Sequence, residues 1–370
     1  MSTGRLAIIG ANASISKLIN RANEMGYETH VFAWKSGDPG ERLASVFHPV
    51  SIEKKEEILR ICREIKPVGI TSITSDFAYE CVNYVARNLN LVANEQKSEI
   101  VARNKFEMRR AFKASGIPTP FFVKLAPNDI PDAQHFSYPL IVKPVDGWSS
   151  KGVSRVDSPD ELNVAIDYAR KQSRSGDVIL ESFIEGPEYS AECLSFRGIH
   201  NVIAFTEKRT TGYPHYVETG HKQPASLSSS MQELIKKTVY KALDALGIRN
   251  GASHAEFRVT SNGEVFLIEV GARMGGDCIG TDLVPLSTGV DYIADVIRVS
   301  CGDRPILNKK SVPGNAEVRF FLDKDDELLF QEYAGREKVE IHEYIVEEGS
   351  GAANVTNSSE RYGHCVFTRK

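Results

Sequence analysis

The sequence predicts an α/β N-terminal domain on a parallel sheet, followed by α+β units, and three observations carry that expectation. Over about the first ninety residues, short apolar runs alternate with amphipathic helical stretches. A glycine stop followed by prolines, Gly116-Ile117-Pro118-Thr119-Pro120, then closes this part of the chain. Beyond it strands recur with hairpin signals, the clearest being Asn262-Gly263 between alternating apolar residues. At about 150 residues per domain, 370 residues amount to two or three domains and can bury a large core.

Taken in order, Leu6 to Ile9 reads as a strand, Ser14 to Met25 as a helix stopped by Gly26, and Thr29 to Phe32 as a second strand. A helix from Lys54 to Ile65, a strand from Val68 to Ile73 and a helix from Phe77 to Leu89 continue the rhythm. Strand, helix, strand implies right-handed crossovers and a Rossmann-like domain. Gly10 alone is too little for a dinucleotide fingerprint and is read as a tight turn. A charged amphipathic helix is expected over Asn94 to Ser115, ahead of the glycine-proline stop. Leu140-Ile141-Val142 and Val178 to Glu181 are strands of a small α+β unit, with a helix between them opening at Ser158-Pro159-Asp160-Glu161. There Ser158 and Glu161 have capping-box spacing, and Pro159 stands where its missing N–H costs least.

Two strands are expected from Tyr189 to Lys208, then a polar loop, then a long helix ended by Gly247. In that helix Met231, Leu234, Ile235, Thr238, Val239, Ala242, Leu243 and Leu246 fall on one face, which reads as core. The tail from Ser311 to Lys370 is strand-rich, and its polar stretch from Glu347 to Ser359 is expected to be a mobile loop.

Composition removes several function classes. Forty-five basic against forty-nine acidic residues give a net charge of −4 without long charged runs, which argues against nucleic-acid or membrane partners held by bulk charge. No apolar run nears the roughly 18 residues of a membrane span, and Leu6 to Ile9 is too short for a signal-peptide core. The six cysteines include no C-x-x-C pair, so free thiols in a reducing, cytoplasmic setting are expected. A Walker-type phosphate loop and an H-E-x-x-H zinc helix are also missing from the sequence.

The densest chemistry lies in the hairpin from Ala255 to Val270. With Asn262-Gly263 as a two-residue loop, Glu256 falls opposite Glu269, and Ala255, Phe257, Val259, Phe266, Ile268 and Val270 form the buried face. Facing glutamates repel, so either they share a proton or a cation, magnesium being the natural one, or they sit on a solvated face. Arg273 follows in a glycine-rich turn, where a permanent cation suits a developing phosphoryl charge. Lys143 and the loop from Trp148 to Gly152, with Ser149 and Ser150, could form an anion nest. Lys105 could join them or be an exposed lysine.

Together with Glu181-Ser182-Phe183-Ile184-Glu185-Gly186-Pro187-Glu188, this pattern resembles the ATP-grasp superfamily along essentially the whole chain. The resemblance implies an ATP-grasp fold of class α/β plus α+β. Its parts would be a Rossmann-like domain over 1–95, a linking helical segment over 96–124, a lid subdomain over 125–187, a catalytic core over 188–302 and a strand-rich C-terminal region over 303–370. It implies that Lys105 and Lys143 contact the ATP phosphates, that Ser149, Ser150 and Gly152 belong to the loop closing over them, and that Glu181 with the backbone of Phe183 and Ile184 meets adenine. Glu188 would hold the ribose, Glu256 and Glu269 the Mg2+, and Arg273 the phosphoryl group in flight. Family members usually carry asparagine two residues after the second metal glutamate, where this chain has Gly271.

Within the superfamily, Tyr216 to Ala225 and the turn from Gly271 to Gly276 look like those of L-amino acid ligases, which would put Glu218 and His221 beside the reacting carboxyl. On the residues alone His221 could equally sit on a surface loop. The implied activity is an ATP-dependent carboxylate-amine ligase working through an acyl phosphate on small-molecule substrates. A bicarbonate-using carboxylase type and an inactive nucleotide-binding regulator are the alternatives. The sequence leaves the oligomeric state open, a homodimer included.

Overall fold

The computed structural model describes residues 3–148, 150–308, 314–346 and 355–369, arranged around three sheets. The first is parallel, with β1 (Gly4–Ile9), β2 (Tyr27–Phe32), β3 (Val46–His48) and β4 (Gly69–Thr71) in the order β3-β2-β1-β4. Parallel neighbours need crossovers. Helices α1 (Ala13–Glu24), α2 (Pro39–Leu43), α3 (Lys55–Ile65) and α4 (Asp76–Asn88) belong to this domain. Asn12 starts α1 by accepting the Ile15 N–H, and Ile15, Leu18, Ile19 and Ala22 bury one face.

The helix expected over Asn94 to Ser115 is two helices, α5 (Lys97–Val101) and α6 (Lys105–Ala114). Asn104 is extended and its side chain accepts the Glu107 N–H, so a new helix begins there. The break places Lys105 at the first position of α6, where its backbone N–H donates to Val145 O at 2.9 Å.

The second sheet is antiparallel, with β5 (Phe122–Leu125), β6 (Leu140–Pro144), β7 (Ser154–Val156) and β8 (Val178–Ser182) in the order β5-β8-β6-β7. It packs on α7 (Pro159–Gln172) through Leu162, Ala165, Ile166 and Ala169. The capping box expected at Ser158 and Glu161 is not made, because Glu161 reaches one residue past the N-cap. Glu161 accepts the Asp157 N–H, and the Ser158 hydroxyl turns to the Glu161 carboxylate and caps no backbone N–H.

The third sheet has eight strands: β9 (Glu188–Phe196), β10 (Ile199–Thr210), β11 (Glu218–Gln223), β12 (Gly251–Val259), β13 (Val265–Gly271), β14 (Ala316–Phe321), β15 (Val339–Val346) and β16 (Gly363–Arg369). Their order is β13-β12-β9-β10-β11-β14-β16-β15, so one sheet runs across residue 303. The polar loop expected after Lys208 contains β11. Glu218-Thr219-Gly220-His221-Lys222-Gln223 has no apolar alternation, and the strand exists because β10 and β14 satisfy its backbone from both sides.

Helix α8 (Ser229–Leu246) buries Ile235, Val239, Ala242, Leu243 and Leu246 against β12 and β13. Leu234 lies off that face at 43% exposure, and Met231 and Thr238 are only half-buried. Helices α9 (Val284–Thr288) and α10 (Tyr292–Ser300) follow. The strand-rich tail also holds a helix the sequence reading missed, α11 (Lys324–Arg336). Phe330 is its one buried residue, and Leu328 and Leu329 are exposed, so its apolar period is weak. Of the stretch expected to be mobile, residues 347–354 lie outside the described residues, and Ser358–Glu360 form a 3-10 turn.

The glutamate hairpin differs in detail from the expectation. Its loop has three residues, Ser261 to Gly263, closed by Thr260 N–H to Glu264 O at 3.0 Å, with Gly263 at φ +80°. That shifts the register, pairing Val259 with Val265 and Phe257 with Leu267. The inward residues of β13 are therefore Val265, Leu267 and Val270, and Phe266 and Ile268 leave the core face. A bulge between Glu256 and Phe257 restores the original register beyond it, so Glu256 still faces Glu269.

Candidate functional site

A cavity of about 510 Å3 lies where the three sheets converge, and Glu256 and Glu269 face it. Their side chains are 22% and 28% exposed. Each already has a cation. Lys208 Nζ sits 2.5 Å from Glu256 Oε1, and Lys105 Nζ sits 3.0 Å from Glu269 Oε1 and donates to Gly147 O at 2.8 Å. The repulsion that the sequence assigned to a metal or a proton is thus relieved by two ammonium groups. Burial opposes the charge on Glu256, yet Lys208 and His254 hold its carboxyl well below the usual range.

Lys143, next to last in β6, meets Glu181 of β8 at 2.8 Å, while Arg109 of α6 reaches the same carboxylate with Nε at 2.7 Å. Burial alone would raise Glu181, but Arg109 and then Lys143 bring it down to about 2. Burial pushes the Lys143 ammonium down, and Glu181 resists that shift. Arg109 also donates to Ile268 O at 2.7 Å, tying this cluster to the hairpin bulge.

Ser150 lines the cavity with Trp148 and Lys151, but Gly152 does not; at φ +76° it packs on Pro144 beneath the loop. Ser149 lies outside the described residues. Phe183, Ile184 and Glu188 line the cavity. The Phe183 N–H donates to Pro139 O and the Ile184 carbonyl accepts from Arg258, which leaves the Ile184 N–H without a hydrogen bond among the described residues. Glu188 is held by Arg258 at 3.0 Å and Lys208 at 3.1 Å. The turn before it needs Gly186, at φ +135°, since a Cβ there would stand 2.1 Å from Val259 O.

Glu218 and His221 share β11 and both line the cavity; His221 is 2% exposed, so it is no surface-loop residue. Burial pushes the His221 imidazole below its ordinary value, so it is neutral near pH 7. Its Nδ1 has no hydrogen-bond partner among the described residues, and Nε2 lies 3.9 Å from Asp277. Glu218 accepts from Ser358 at 2.7 Å. Arg361 pairs with Asp277 at 2.7 Å and stacks on Phe320.

Arg273 also lines the cavity and binds Asp76 at 3.2 Å. A Cβ at position 271 would stand 3.2 Å from Asp76 Oδ1, so the Asp76 carboxylate occupies space that a side chain there would need. Glu256 and Glu269 make an oxygen-only donor pair open to the cavity, which fits Mg2+ better than a thiophilic metal.

Sequence reasoning missed Lys208, Arg109, Asp76, Arg361 and the Glu192–His254 pair. Lys208 is the most connected of them, buried among Glu188, Glu218 and Glu256, which together keep its ammonium charged well above the usual range against burial. Glu192 contacts His254 and accepts the Gly275 N–H at 2.8 Å, anchoring the Arg273 turn beneath Glu256. A charged residue inside an otherwise apolar strand was the available signal, in Ser190-Ala191-Glu192-Cys193-Leu194.

Against this geometry, a protein-family model described as an ATP-grasp domain matches residues 136–282. Residues 136–282 form an ATP-grasp domain. They include Lys143, Glu181, Glu188, Glu256, Glu269 and Arg273. The chain is 30% identical over 278 residues to an uncharacterised protein, y4rH, of Sinorhizobium fredii, covering 74% of this chain and 57% of the relative. It is 29% identical over 201 residues to D-alanine–D-alanine ligase B of Chromobacterium violaceum, covering 52% of this chain and 64% of the relative. The chain thus spans less than two thirds of these curated relatives. Among solved structures, an L-amino acid ligase from Bacillus licheniformis superposes with a TM-score of 0.82 at 25% identity, covering all of this chain and 94% of that one. The ATP-grasp domain therefore sits within a whole-chain likeness of fold. Among the described residues no helix is long and apolar enough to cross a membrane.

Proposed function

We propose that the protein is an ATP-dependent carboxylate-amine ligase that joins the carboxyl of one amino acid to the amine of another. The observation that carries the reading is the convergence, on one cavity, of the facing glutamates, the cations Lys105, Lys143 and Arg273, and the Glu218–His221 pair. A substrate carboxylate oxygen attacks the γ-phosphorus of ATP, the bond to the β–γ bridging oxygen breaks and ADP is released. The amine then attacks the acyl carbon, the C–N bond forms, and phosphate leaves with the carboxyl oxygen. When bound by Glu256 and Glu269, Mg2+ supplies charge neutralisation at the phosphates.

The chain's own groups align the reactants and exclude water, which would hydrolyse the acyl phosphate. Lys105 exchanges Glu269 for phosphate, and Lys143 faces the phosphates from the lid side. Ile184 offers its free N–H to adenine, beside Glu181, and Glu188 the ribose. Arg273 balances the phosphoryl charge in flight. Neutral His221 hydrogen-bonds the phosphoryl group or orients the amine, and Glu218 holds the ammonium or takes its proton. The β5–β8 unit closes as the lid.

The test is phosphate release from Mg2+-ATP with a panel of L-amino acids, alone and in pairs, followed by a mass search for dipeptide. Release that needs amino acids, with a dipeptide product, is the expected result. Release driven by bicarbonate with no amino acid requirement overturns the reading.

A further inference from the structure

Behind the cavity, the residue after Asp277 belongs to a second cluster of chemistry-bearing side chains. Cys278 Sγ, a Glu343 carboxylate oxygen and a His364 ring nitrogen lie within 4.8 Å of one another. They come from three places: the turn after β13, strand β15 and strand β16. Donors bound tetrahedrally at 2.0–2.3 Å would sit roughly 3.3–3.7 Å apart, so small rotations of three half-buried side chains would suffice. Glu343 and His364 are already in contact at 3.0 Å, and both remain partly open to solvent, which gives an ion a way in.

Two further features mark the place. Asp277 and Cys278 are consecutive non-glycine residues in the left-handed region, at φ +50° and +63°, a strained turn whose first residue lines the cavity and whose second belongs to this cluster. A cation is also already present, since Lys17 Nζ sits 2.9 Å from Glu343 and 2.7 Å from Asp282. If Glu343 turned to an ion, Lys17 would keep Asp282 as its partner.

We propose that Cys278, Glu343 and His364 form a binding site for a divalent transition metal of the zinc type, with Lys17 as the built-in competitor and water in the fourth position. Sulfur, imidazole and carboxylate together select such an ion over Mg2+ or Ca2+, which prefer oxygen alone. The site is separate from Glu256 and Glu269 in both residues and donor chemistry. Binding releases the thiol proton to solvent and pins the β15–β16 hairpin to the turn that carries Asp277, and through Asp277 to Arg361 and His221.

The test is a Co2+ titration of the full chain under reducing conditions, read by the sulfur-to-cobalt charge-transfer band and the visible bands of a four-coordinate ion, followed by displacement with Zn2+. The wild-type chain should show both sets of bands at one equivalent and lose them to Zn2+ but not to millimolar Mg2+. Cys278→Ser should lose the charge-transfer band, and His364→Asn should weaken binding at least tenfold, each with the wild-type circular dichroism spectrum. Lys17→Met should bind at least tenfold more tightly, and Glu256→Gln with Glu269→Gln should leave the titration unchanged. No thiolate band in the wild-type chain, a band that survives Cys278→Ser, or a band lost with the cavity glutamates overturns the proposal.

Discussion

Glu181 and Glu269 each face cations across the same cavity, yet the first is sealed and the second is open. The Glu181 side chain is 4% exposed and is gripped by Arg109 and Lys143, themselves 1% and 6% exposed. Glu269 is 28% exposed and has Lys105 as its partner. In a sealed cluster each charge depends on the others, because removing one leaves an uncompensated ion out of water. In an open one, a partner can be exchanged for a ligand. The difference marks the Glu181 cluster as the more costly to break and the Glu256–Glu269 pair as the more open to exchange of partners.

The largest effect should come from breaking the sealed side. Arg109→Met is expected to lower stability by about 3–5 kcal/mol, because Glu181 stays buried and loses its main cation; urea unfolding measures it, and a loss near that of an exposed pair would dissolve the contrast. On the open side, Glu269→Gln should cut turnover by about 10²-fold or more while the urea midpoint stays close to wild type. A folded variant with near-normal turnover would remove Glu269 from the chemistry.

Smaller effects sharpen the comparison. Glu188→Ala should raise the ATP KM by about tenfold with little change in kcat, since a ribose contact serves ground and transition states alike. A fall in kcat at unchanged KM would move Glu188 to the reacting end, to which Lys208 connects it. The subtlest test is acid titration. Glu181 is held at about 2 in the folded protein against an ordinary value near 4.5. The stability from its charged form is therefore complete above pH 4.5 and disappears as the pH falls toward 2. The gap in unfolding free energy between wild type and Glu181→Gln should narrow across that window, and a constant gap would show that Glu181 titrates normally.

Much of the fold was legible because local signals and tertiary structure agree. Apolar runs and glycine stops mark the parallel sheet, and Lys143, Glu181 and Glu188 fall at or next to strand ends, where polar side chains can reach a cavity. Glu256 facing Glu269 was read correctly through two compensating differences, a three-residue loop and a one-residue bulge, neither of which periodicity reveals. Strand β11 was illegible because every side chain in it is polar or glycine, and its neighbours alone make it a strand. Lys208 was missed for a related reason: its three carboxylates come from β9, β11 and β12, and only the folded sheet assembles them.

The central claim is that a carboxylate is activated by direct phosphorylation in this cavity. Amino acid substrate labelled with 18O in its carboxyl group, incubated with the enzyme, Mg2+-ATP and an amine-bearing amino acid, tests it through the mass of the released phosphate. The account predicts one labelled oxygen in each phosphate, in step with the amide formed, because the oxygen that attacks phosphorus leaves with it. Phosphate carrying no label while amide accumulates would contradict it.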